Sequence, residues 1–491
     1  MKKLLQNNSF VYFTLAAVFL LITAAAIAME MFYFLALPYV FLIVWMAIKS
    51  LDKLVFLIIF MVPISVPLSE FVEAPINMFM PTEPLLAGLL LLFIILIPTK
   101  KLIVKEIIYH PVTIASMILM VWMLVTTITS TMPLVSIKFF AMRLWFLIVF
   151  YYLIAMIVKT QKDIQNFIWL YAVPMVIVIV YALVRHMTYG IFDSKIAHWA
   201  SNPFYKDHTI YGATLAFYVP PLFIMAIKKN QSLLLRLFTG GLFTIFVIAL
   251  IFSYSRAAWL SVIGAGMLYL VLRLRINWKY ILSVSLILIL TLVFSWNNIM
   301  LKLEQNRQES SVENIGEHVK SVTNIRNDAS NLERINRWAS AFRMFDEKPL
   351  LGFGPGTYMF QYAPYQMSYE KTIISTNAGD MGNAHSEYFG PLSEQGLPGM
   401  LTYLALITTV LIIGIKRFYK IKDPSLKNYM AAAILGLTTY YLHAFLNNFL
   451  DTDKISVPFW GFTAIIVAID LYEKGFVKNE EASSKTQNQI G

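Results

Sequence analysis

The sequence predicts an all-α fold: a polytopic membrane helix bundle of about 12 to 14 transmembrane helices with one long external, partly helical loop. Three observations predict this fold class. Of the 491 residues, 58% are hydrophobic and only 14% are charged, and the mean hydropathy is +0.66. The apolar residues fall in about fourteen runs, each close to the roughly 20 residues that a helix needs to cross a bilayer. One stretch, residues 296–389, is too polar to enter lipid.

The composition also excludes several classes of protein. Soluble domains have about 45 to 50% apolar and about 25% charged residues, so this surplus of apolar surface requires lipid. The chain has no cysteine, which excludes thiol catalysis and cysteine-ligated metals. The formal charge is +11, but the lysines and arginines fall in alternate loops, as the positive-inside rule describes for membrane proteins. No nucleic-acid partner is therefore predicted.

The predicted spans follow the apolar runs. In chain order they are centred on residues 10–28, 31–48, 54–68, 84–98, 111–129, 137–158, 164–184, 209–227, 237–253, 257–272, 280–295, 390–413, 428–447 and 455–472. The third run contains Pro63 and Pro67, and both it and the fourth are short.

The runs and the polar stretch divide the chain into four parts. Residues 1–295 are predicted to form the first part of the transmembrane bundle, with about 11 spans. Residues 296–389 form the long external (periplasmic) loop that carries catalytic elements. Residues 390–473 are predicted to complete the bundle with the last three spans, and residues 474–491 to form a disordered cytoplasmic tail.

The charges in the loops predict the orientation of the bundle. With the amino terminus in the cytoplasm, the inside loops contain clusters such as Lys2-Lys3 and Lys416-Arg417. The outside loops near residue 30, at 70–83 and at 130–136 contain no lysine or arginine. Since basic residues concentrate in cytoplasmic loops, both termini are predicted to be cytoplasmic.

The polar stretch contains an amphipathic helix and a turn. Apolar residues repeat at helical spacing at Leu332, Ile335, Trp338, Phe342 and Phe345. They predict a helix over residues 332–346 that lies on the membrane surface or on the bundle and ends before Lys348-Pro349. The next three glycines, Gly352, Gly354 and Gly356, indicate a tight turn. A phosphate-binding loop would need a preceding strand and a Gly-Lys-Ser/Thr sequence.

Ionisable residues at membrane depth usually face a cavity or each other. Arg143 lies in the external half of the sixth span, and Arg256 opens the tenth span in Ser253-Tyr254-Ser255-Arg256. Arg334 and Arg337 come from the amphipathic helix. Because guanidinium groups bind phosphate oxygens with two hydrogen bonds each, these four arginines are candidate diphosphate ligands. The alternative for a single arginine, such as Arg143, is a salt bridge or a snorkelling side chain.

His385 stands in Asn383-Ala384-His385-Ser386-Glu387-Tyr388, where the long external loop meets the twelfth span. An imidazole at this boundary can reach reactants from water and from lipid. With an ordinary pKa near 6.5 it could take a proton from an attacking hydroxyl at neutral pH. His385 is therefore the candidate general base, and the alternative is a structural or solvated loop histidine.

Metal sites are weakly supported. Asp451-Thr452-Asp453 has the Asp-x-Asp form that nucleotide-sugar enzymes use to hold a divalent metal, but this pair is predicted to be external, whereas nucleotide sugars are cytoplasmic. No His-Glu-x-x-His sequence occurs. No catalytic metal and no cofactor are predicted.

The ordered set of motifs resembles the bacterial O-antigen ligases and the related polysaccharide polymerases. His385-Ser386 followed by nine residues and Gly396-Leu397-Pro398-Gly399 matches their form His-[Asn/Ser/Gln]-x9-Gly-x-x-[Gly/Thr/Tyr]. The segment from Ser253 to Trp259 resembles their Ser-x-Ser-Arg segment, and Arg334 with Trp338 resembles their Arg-x3-Trp helix start. Lys348 to Gly356 resembles the Pro-Leu-x-Gly-x-Gly-x-Gly turn that follows. The resemblance covers residues about 209 to 470.

The resemblance implies a membrane glycosyltransferase of the bacterial inner (cytoplasmic) membrane. Such an enzyme takes a glycan from an undecaprenyl diphosphate carrier and transfers it to an acceptor hydroxyl of a glycan, lipid A core or another molecule on the external face. It implies a reaction that needs no metal, and direct displacement of the diphosphate is expected to invert the anomeric carbon. Membrane lipids are also expected partners. Carried over by position, His385 would be the general base, and Arg256 with Arg334 or its neighbour Arg337 would hold the diphosphate.

Other functions remain open at this point. A polymerase would extend carrier-linked repeats, and a protein O-glycosylating enzyme would use a protein hydroxyl as the acceptor. From another class, a flippase for lipid-linked sugars fits the number of spans, and intramembrane cations could line its pathway. It does not account for the long external stretch with the His385 motif. A purely structural scaffold is the least supported alternative.

Overall fold

The computed structural model is almost entirely helical in the part of the chain that it describes. That part comprises residues 43–47, 49–71, 78–99, 102–228, 231–277, 329–372, 375 and 382–473, with scattered positions between 279 and 295. Nine helices within it are long and apolar enough to cross a membrane. They confirm the predicted all-α membrane bundle and make the chain a multi-pass membrane protein. The predicted span 10–28, most of 31–48 and 280–295, and the tail 474–491 lie outside the described residues.

The helices are numbered here in chain order. The longer ones are α1 (Leu51–Met61), α2 (Thr82–Thr99), α3 (Pro111–Ile128), α4 (Pro133–Ile157), α5 (Gln161–Tyr189), α6 (Ser194–Ala200), α7 (His208–Ala226), α8 (Leu233–Phe252), α9 (Arg256–Leu274), α10 (Ala329–Glu347), α11 (Phe389–Lys420), α12 (Pro424–His443) and α13 (Asp453–Glu473). All except α1, α6, α10 and α12 are among the nine candidate spans. Two strands of two residues each, Val66–Pro67 and Phe79–Met80, pair as an antiparallel ribbon.

The third predicted span, 54–68, is wrong as a single membrane-crossing helix. The helix α1 ends at Met61 after 11 residues, and a 3-10 turn, Val62–Ile64, and the first strand follow. Pro63 lies in the turn and Pro67 in the strand. Because proline has no backbone N–H to donate, it ends an α-helix instead of continuing it. The described residues fall into two compact units that divide between Ile58 and Ile59, and the site lies within the second.

The helix α13 is the core of the bundle. Of the 18 most apolar consecutive residues of α13, 94% are buried, compared with 22% for the corresponding stretches of α2 and of α9. A helix that is apolar on all sides and covered on all sides lies inside a bundle, whereas one that leaves apolar side chains uncovered faces lipid. Gly461 of α13 has no Cβ, and the ring of Phe167 from α5 occupies the space a Cβ would need. Small residues of this kind let membrane helices approach closely.

The first turn of α13 is held by buried polar contacts. Asp453 accepts hydrogen bonds from the hydroxyls of Ser65 (3.2 Å) and Thr82 (2.6 Å). The Lys454 ammonium donates to the carbonyl and hydroxyl oxygens of Ser65 at 2.9 and 2.7 Å, and also to the Val62 carbonyl. Both side chains are almost fully buried. Asp453 therefore has structural partners here.

One end of the bundle gathers the segments that carry the sequence motifs. We call this end the site face; it contains the connections 129–132, 190–207, 253–255 and 444–452 and the segments 329–372 and 382–389. Hydrogen bonds join them: Thr131 N–H donates to the Phe353 carbonyl at 2.9 Å, and Tyr254 Oη donates to the Ile191 carbonyl at 3.3 Å. The amphipathic helix is confirmed as α10, with bounds Ala329–Glu347.

Candidate active site

The segment Asn383–Tyr388 presents His385 through an unusual backbone conformation. His385 has φ +50°, in the left-handed region that L residues rarely adopt. Its backbone N–H donates to Asn383 Oδ1 at 3.1 Å, which is the local bond of an Asx turn. Directly after it, Ser386 Oγ accepts from the N–H of Tyr388 at 3.2 Å and starts α11. These bonds fix the backbone on both sides of His385, and the residue is half-buried.

Glu387 anchors this segment to the rest of the site face. Its N–H donates to the Ala444 carbonyl at 2.9 Å. Its buried Oε1 accepts from the hydroxyl of Tyr440 at 2.9 Å and from the N–H of Leu450 at 2.7 Å. A buried carboxylate with several hydrogen-bond donors is strongly held. Sequence reasoning did not assign a role to Glu387, although it lies two residues from His385.

The glycine turn and the His385 motif meet at a kink in α11. Gly352, Gly354 and Gly356 all have positive φ, which confirms the predicted turn. Gly396, inside α11, has φ +69° and breaks the helical conformation there. A Cβ at Gly396 would collide with the Leu350 carbonyl, so only glycine lets the two motifs pack together.

Arg256 begins α9 directly after a tight turn. Tyr254 in this turn has φ +51°, and the N–H of Ser255 donates to Ser253 Oγ at 3.3 Å. Gly212 of α7 lies against the turn, since a Cβ there would come within 2.6 Å of the Ser255 Cβ. Arg256 is half-buried, and the backbone N–H groups at the start of a helix favour an anion beside it.

The two candidate arginines of α10, Arg334 and Arg337, have different surroundings. Arg337 Nε donates to Glu333 Oε1 at 2.6 Å, with only 3% and 5% of the two side chains exposed. Its guanidinium lies 3.9 Å from the ring centroid of Tyr362. Arg334 is half-buried, and its Nε donates to the Leu446 carbonyl at 3.1 Å. Arg337 is thus buried against Glu333 and Tyr362, whereas Arg334 donates to a backbone carbonyl at the site face.

The structure brings Arg256, Arg334, Arg337 and His385 into one electrostatic cluster. Arg256 and Arg334 repel each other. His385 is in the field of both Arg334 and Arg337. Arg256 and His385, which are 129 positions apart in the sequence, are therefore linked through the electrostatic field of Arg334.

Burial and positive charge determine the protonation of His385. Burial lowers the pKa of its imidazole, and the charges of Arg334 and Arg337 lower it further, to about 4. Glu333 and Asp207 oppose this effect. The imidazole is therefore neutral at pH 7 and has a lone pair that can accept a proton.

Asp207 is a member of this cluster that sequence reasoning missed. Its Oδ1 accepts from the N–H of Thr209 at 2.9 Å and caps α7. Burial raises the pKa of its carboxyl, but hydrogen bonds from His208 and Thr209 and the charge of His208 hold it well below its usual range. Burial lowers the pKa of Arg334, and the negative charge of the Asp207 carboxylate opposes this shift. The only sequence signal was an Asp-x-Thr pattern at the start of a predicted span.

Arg143 lies in a different environment from the other arginines. Its Nη2 is 3.5 Å from Glu387 Oε2, and its guanidinium lies 4.9 Å from the ring centroid of Phe139. With Lys138 it lines a cavity of about 420 Å³ beside the His385 segment. Asp451 of the Asp-x-Asp pair lines the same cavity. In the described part of the chain, no three His, Asp or Glu side chains are grouped so that they could hold a metal ion.

Part of the chain is similar to a known protein family. Residues 241–404, a third of the chain, match the family model described as O-antigen ligase. This segment contains Arg256, α10, the glycine turn and His385. A search of curated proteins finds no match. The match supports an activity of the O-antigen ligase or polymerase type in a membrane glycosyltransferase.

Proposed function

We propose that this chain, which is O-antigen ligase-like over residues 241–404, transfers a glycan from an undecaprenyl diphosphate carrier to an acceptor hydroxyl. The proposal depends on one observation: a neutral imidazole, His385, lies in the field of Arg334, which in turn lies in the field of Arg256. A proton acceptor and two fixed cations therefore share one site, and this is the arrangement that a displacement of a phosphorylated leaving group needs.

In the proposed reaction, His385 takes the proton of the acceptor hydroxyl. The acceptor oxygen forms a bond to the anomeric carbon while the bond from that carbon to the diphosphate oxygen breaks. Negative charge grows on the leaving diphosphate, and Arg256 and Arg334 stabilise it. Base catalysis contributes about 10² to 10⁴ in rate, and a fixed donor of this kind about 10² to 10³. Direct displacement inverts the anomeric carbon.

Arg334, and not Arg337, is the proposed second ligand of the diphosphate. Arg337 already forms a buried ion pair with Glu333 at 2.6 Å, and a phosphate would have to compete with that carboxylate. Arg334 donates to a neutral carbonyl, that of Leu446, which is a weaker competitor than a carboxylate. The buried hydroxyl of Ser255, without a hydrogen-bond partner among the described residues, is a further donor beside Arg256.

The proposed location is the bacterial inner membrane, with the site face on the external side and both termini in the cytoplasm. Basic residues support this orientation, because the opposite end of the bundle carries Arg236, Arg275, Lys416 and Lys422, as cytoplasmic ends do. The arginines provide the positive charge, so we infer that no metal is required. Transfer should be unchanged by EDTA.

The test is transfer by the full-length chain in lipid vesicles, with a radiolabelled glycan on undecaprenyl diphosphate as the donor. Two acceptors, lipid A core and a second carrier-linked glycan, separate ligase from polymerase. We expect a new glycosidic bond with one of them, and a loss of about 10²-fold or more in His385→Ala. Arg236→Ala, exposed at the opposite end of the bundle, is the matched control and should retain the rate.

Two results would contradict the proposal. One is movement of the lipid-linked glycan across the vesicle membrane with no new glycosidic bond, which would favour a flippase. The other is a wild-type rate of transfer in His385→Ala.

A further inference from the structure

The cavity beside His385 has the size and lining of a small-molecule site. Its volume is about 420 Å³, within the range of about 300 to 1,000 Å³ that is usual for ligand pockets. It is formed by α3, α4, the residues after the glycine turn, the start of α11, the connection 448–451 and α13. Most of its surface is apolar, and a few polar groups converge on it.

Several of those polar groups are buried without a hydrogen-bond partner among the described residues. They are Arg143 Nε, Gln395 Oε1, Tyr403 Oη, Asn448 Oδ1 and Trp460 Nε1, and all five residues line the cavity. The side chains of Gln395, Tyr403 and Trp460 are at most 4% exposed. Buried polar atoms normally have partners, so a ligand with hydroxyl groups would satisfy atoms that the protein leaves unpaired.

The charged groups of the cavity differ from those around Arg256 and Arg334. The carboxyl groups of Glu387, Glu394 and Asp451 line it together with Lys138 and Arg143, and burial raises the pKa of the Asp451 carboxyl to about 6. Because its cations face carboxyl groups, with Arg143 Nη2 3.5 Å from Glu387 Oε2, the cavity suits an uncharged ligand better than a diphosphate. The unpaired atoms include donors and acceptors, which suits hydroxyl groups because each hydroxyl can both donate and accept.

The cavity adjoins the proposed base. Asn383, Ala384, Ser386 and Glu387 line it, and His385 lies between them. The side chain of Asn383 both faces the cavity and fixes the backbone of His385 by the 3.1 Å hydrogen bond. A ligand in the cavity would therefore lie next to the segment that carries the imidazole.

We propose that this cavity binds an uncharged sugar ring of one of the two reacting glycans. Tyr403, Gln395 and Asn448 would bond its hydroxyls, and Trp460 would cover an apolar face of the ring. The inference rests on the proposed glycosyl transfer, since it assigns a sugar subsite to that reaction. The sugar could belong to the donor or to the acceptor glycan, and both present the same hydroxyl chemistry.

Binding can be tested without catalysis by saturation-transfer difference NMR on the full-length chain in nanodiscs. The probes are methyl glycosides of glucose, galactose and N-acetylglucosamine, with inorganic pyrophosphate as competitor. We expect saturation transfer to the ring protons of at least one glycoside, a reduction of threefold or more in Tyr403→Phe and Asn448→Leu, and no competition by pyrophosphate. Tyr441→Phe is the matched control, because the Tyr441 hydroxyl is also buried without a partner in the described part of the chain but does not line the cavity.

A kinetic comparison then identifies the glycan. In Tyr403→Phe, a rise of threefold or more in the KM for the donor assigns the cavity to the donor sugar, and the same rise for the acceptor assigns it to the acceptor. Absence of saturation transfer from all three glycosides, or equal signals in Tyr403→Phe and Tyr441→Phe, overturns the proposal. If the wild-type chain binds glycosides in this way but catalyses no transfer, the proposed function fails while sugar binding in the cavity stands.

Discussion

At the scale of single residues, the site depends on a histidine whose charge is controlled by its neighbours. Arg334 and Arg337 contribute to a pKa of about 4 for His385 in the free protein. A bound diphosphate would bring negative charge to the same arginines and offset their effect. The imidazole should therefore be a stronger base in the donor complex than in the free protein, at the moment when the acceptor hydroxyl has to lose its proton.

This argument gives a prediction for the dependence of transfer on pH. The rate should fall as the pH falls, because a protonated imidazole cannot accept a proton. The acid limb of kcat/KM reports the free protein and should lie near pH 4, whereas the limb of kcat reports the complex and should lie at higher pH. Steady-state rates between pH 3.5 and pH 8 would measure both limbs.

Removal of the Asp207 carboxylate tests the direction in which nearby charges shift the pKa of His385. It raises the pKa of His385, so Asp207→Asn should move the acid limb of kcat/KM to lower pH. Coincident limbs for kcat and kcat/KM in the wild-type chain would mean that donor binding does not change the base.

Arg334 and Arg337 of α10 should respond differently to removal. Arg337→Ala leaves the Glu333 carboxylate buried without its cation, and breaking such a pair costs about 3 to 5 kcal/mol. We expect a clearly lower thermal unfolding temperature for this variant. Arg334→Ala should unfold near the wild-type temperature but transfer about 10² to 10³ times more slowly. Wild-type transfer by Arg334→Ala would move the assignment to Arg337.

At the scale of elements, most helices could be predicted from the sequence, and their contacts could not. The apolar runs predicted α3, α7, α9 and α13 to within about four residues at each end, because the length of an apolar run sets the length of a span. The spacing of Leu332, Ile335 and Trp338 predicted α10. The failed span at 54–68 contains two prolines, and their effect on the helix outweighed the apolar composition.

The contact of the glycine turn with the kink in α11 gives a prediction for backbone strain. Gly396→Ala places a methyl group against the Leu350 carbonyl at a positive φ, and strain of this kind costs about 1 to 3 kcal/mol. We expect a lower unfolding temperature and slower transfer, since the kink lies eleven residues after His385. Gly240→Ala is the matched control, because nothing lies within 4 Å of a Cβ at that position. Equal behaviour of the two variants would exclude a role for the kink.

At the scale of the whole molecule, the motifs indicated candidate site residues but not everything that surrounds them. The motifs of Arg256, Arg334 and His385 lie at or beside helix ends, and these helix ends are at the site face. The three residues therefore belong to one cluster. The sequence did not predict the role of Asp207 or the cavity. The residues that line the cavity come from six or more elements, so no sequence spacing relates them. Arg143 was expected with the diphosphate ligands; the structure pairs it with Glu387, and its position in the helix could not indicate its partner.

The orientation of the molecule in the membrane can be tested because the chain has no cysteine. A single cysteine can be introduced at Leu350, which is 67% exposed at the site face, or at Arg275, which is exposed at the opposite end. We expect a membrane-impermeant maleimide to label Leu350→Cys in intact spheroplasts and to label Arg275→Cys only after permeabilisation. The reverse pattern would place the site face in the cytoplasm.

The central claim is that one imidazole and two guanidinium groups act on one phosphorylated carrier, and the steady-state kinetics of transfer test it most directly. In His385→Ala, we expect kcat to fall by about 10² to 10⁴ while the KM for the donor stays near the wild-type value. In Arg256→Ala and Arg334→Ala, we expect kcat/KM for the donor to fall by about 10² or more. Full activity in His385→Ala, or unchanged kcat/KM in both arginine variants, would contradict the account.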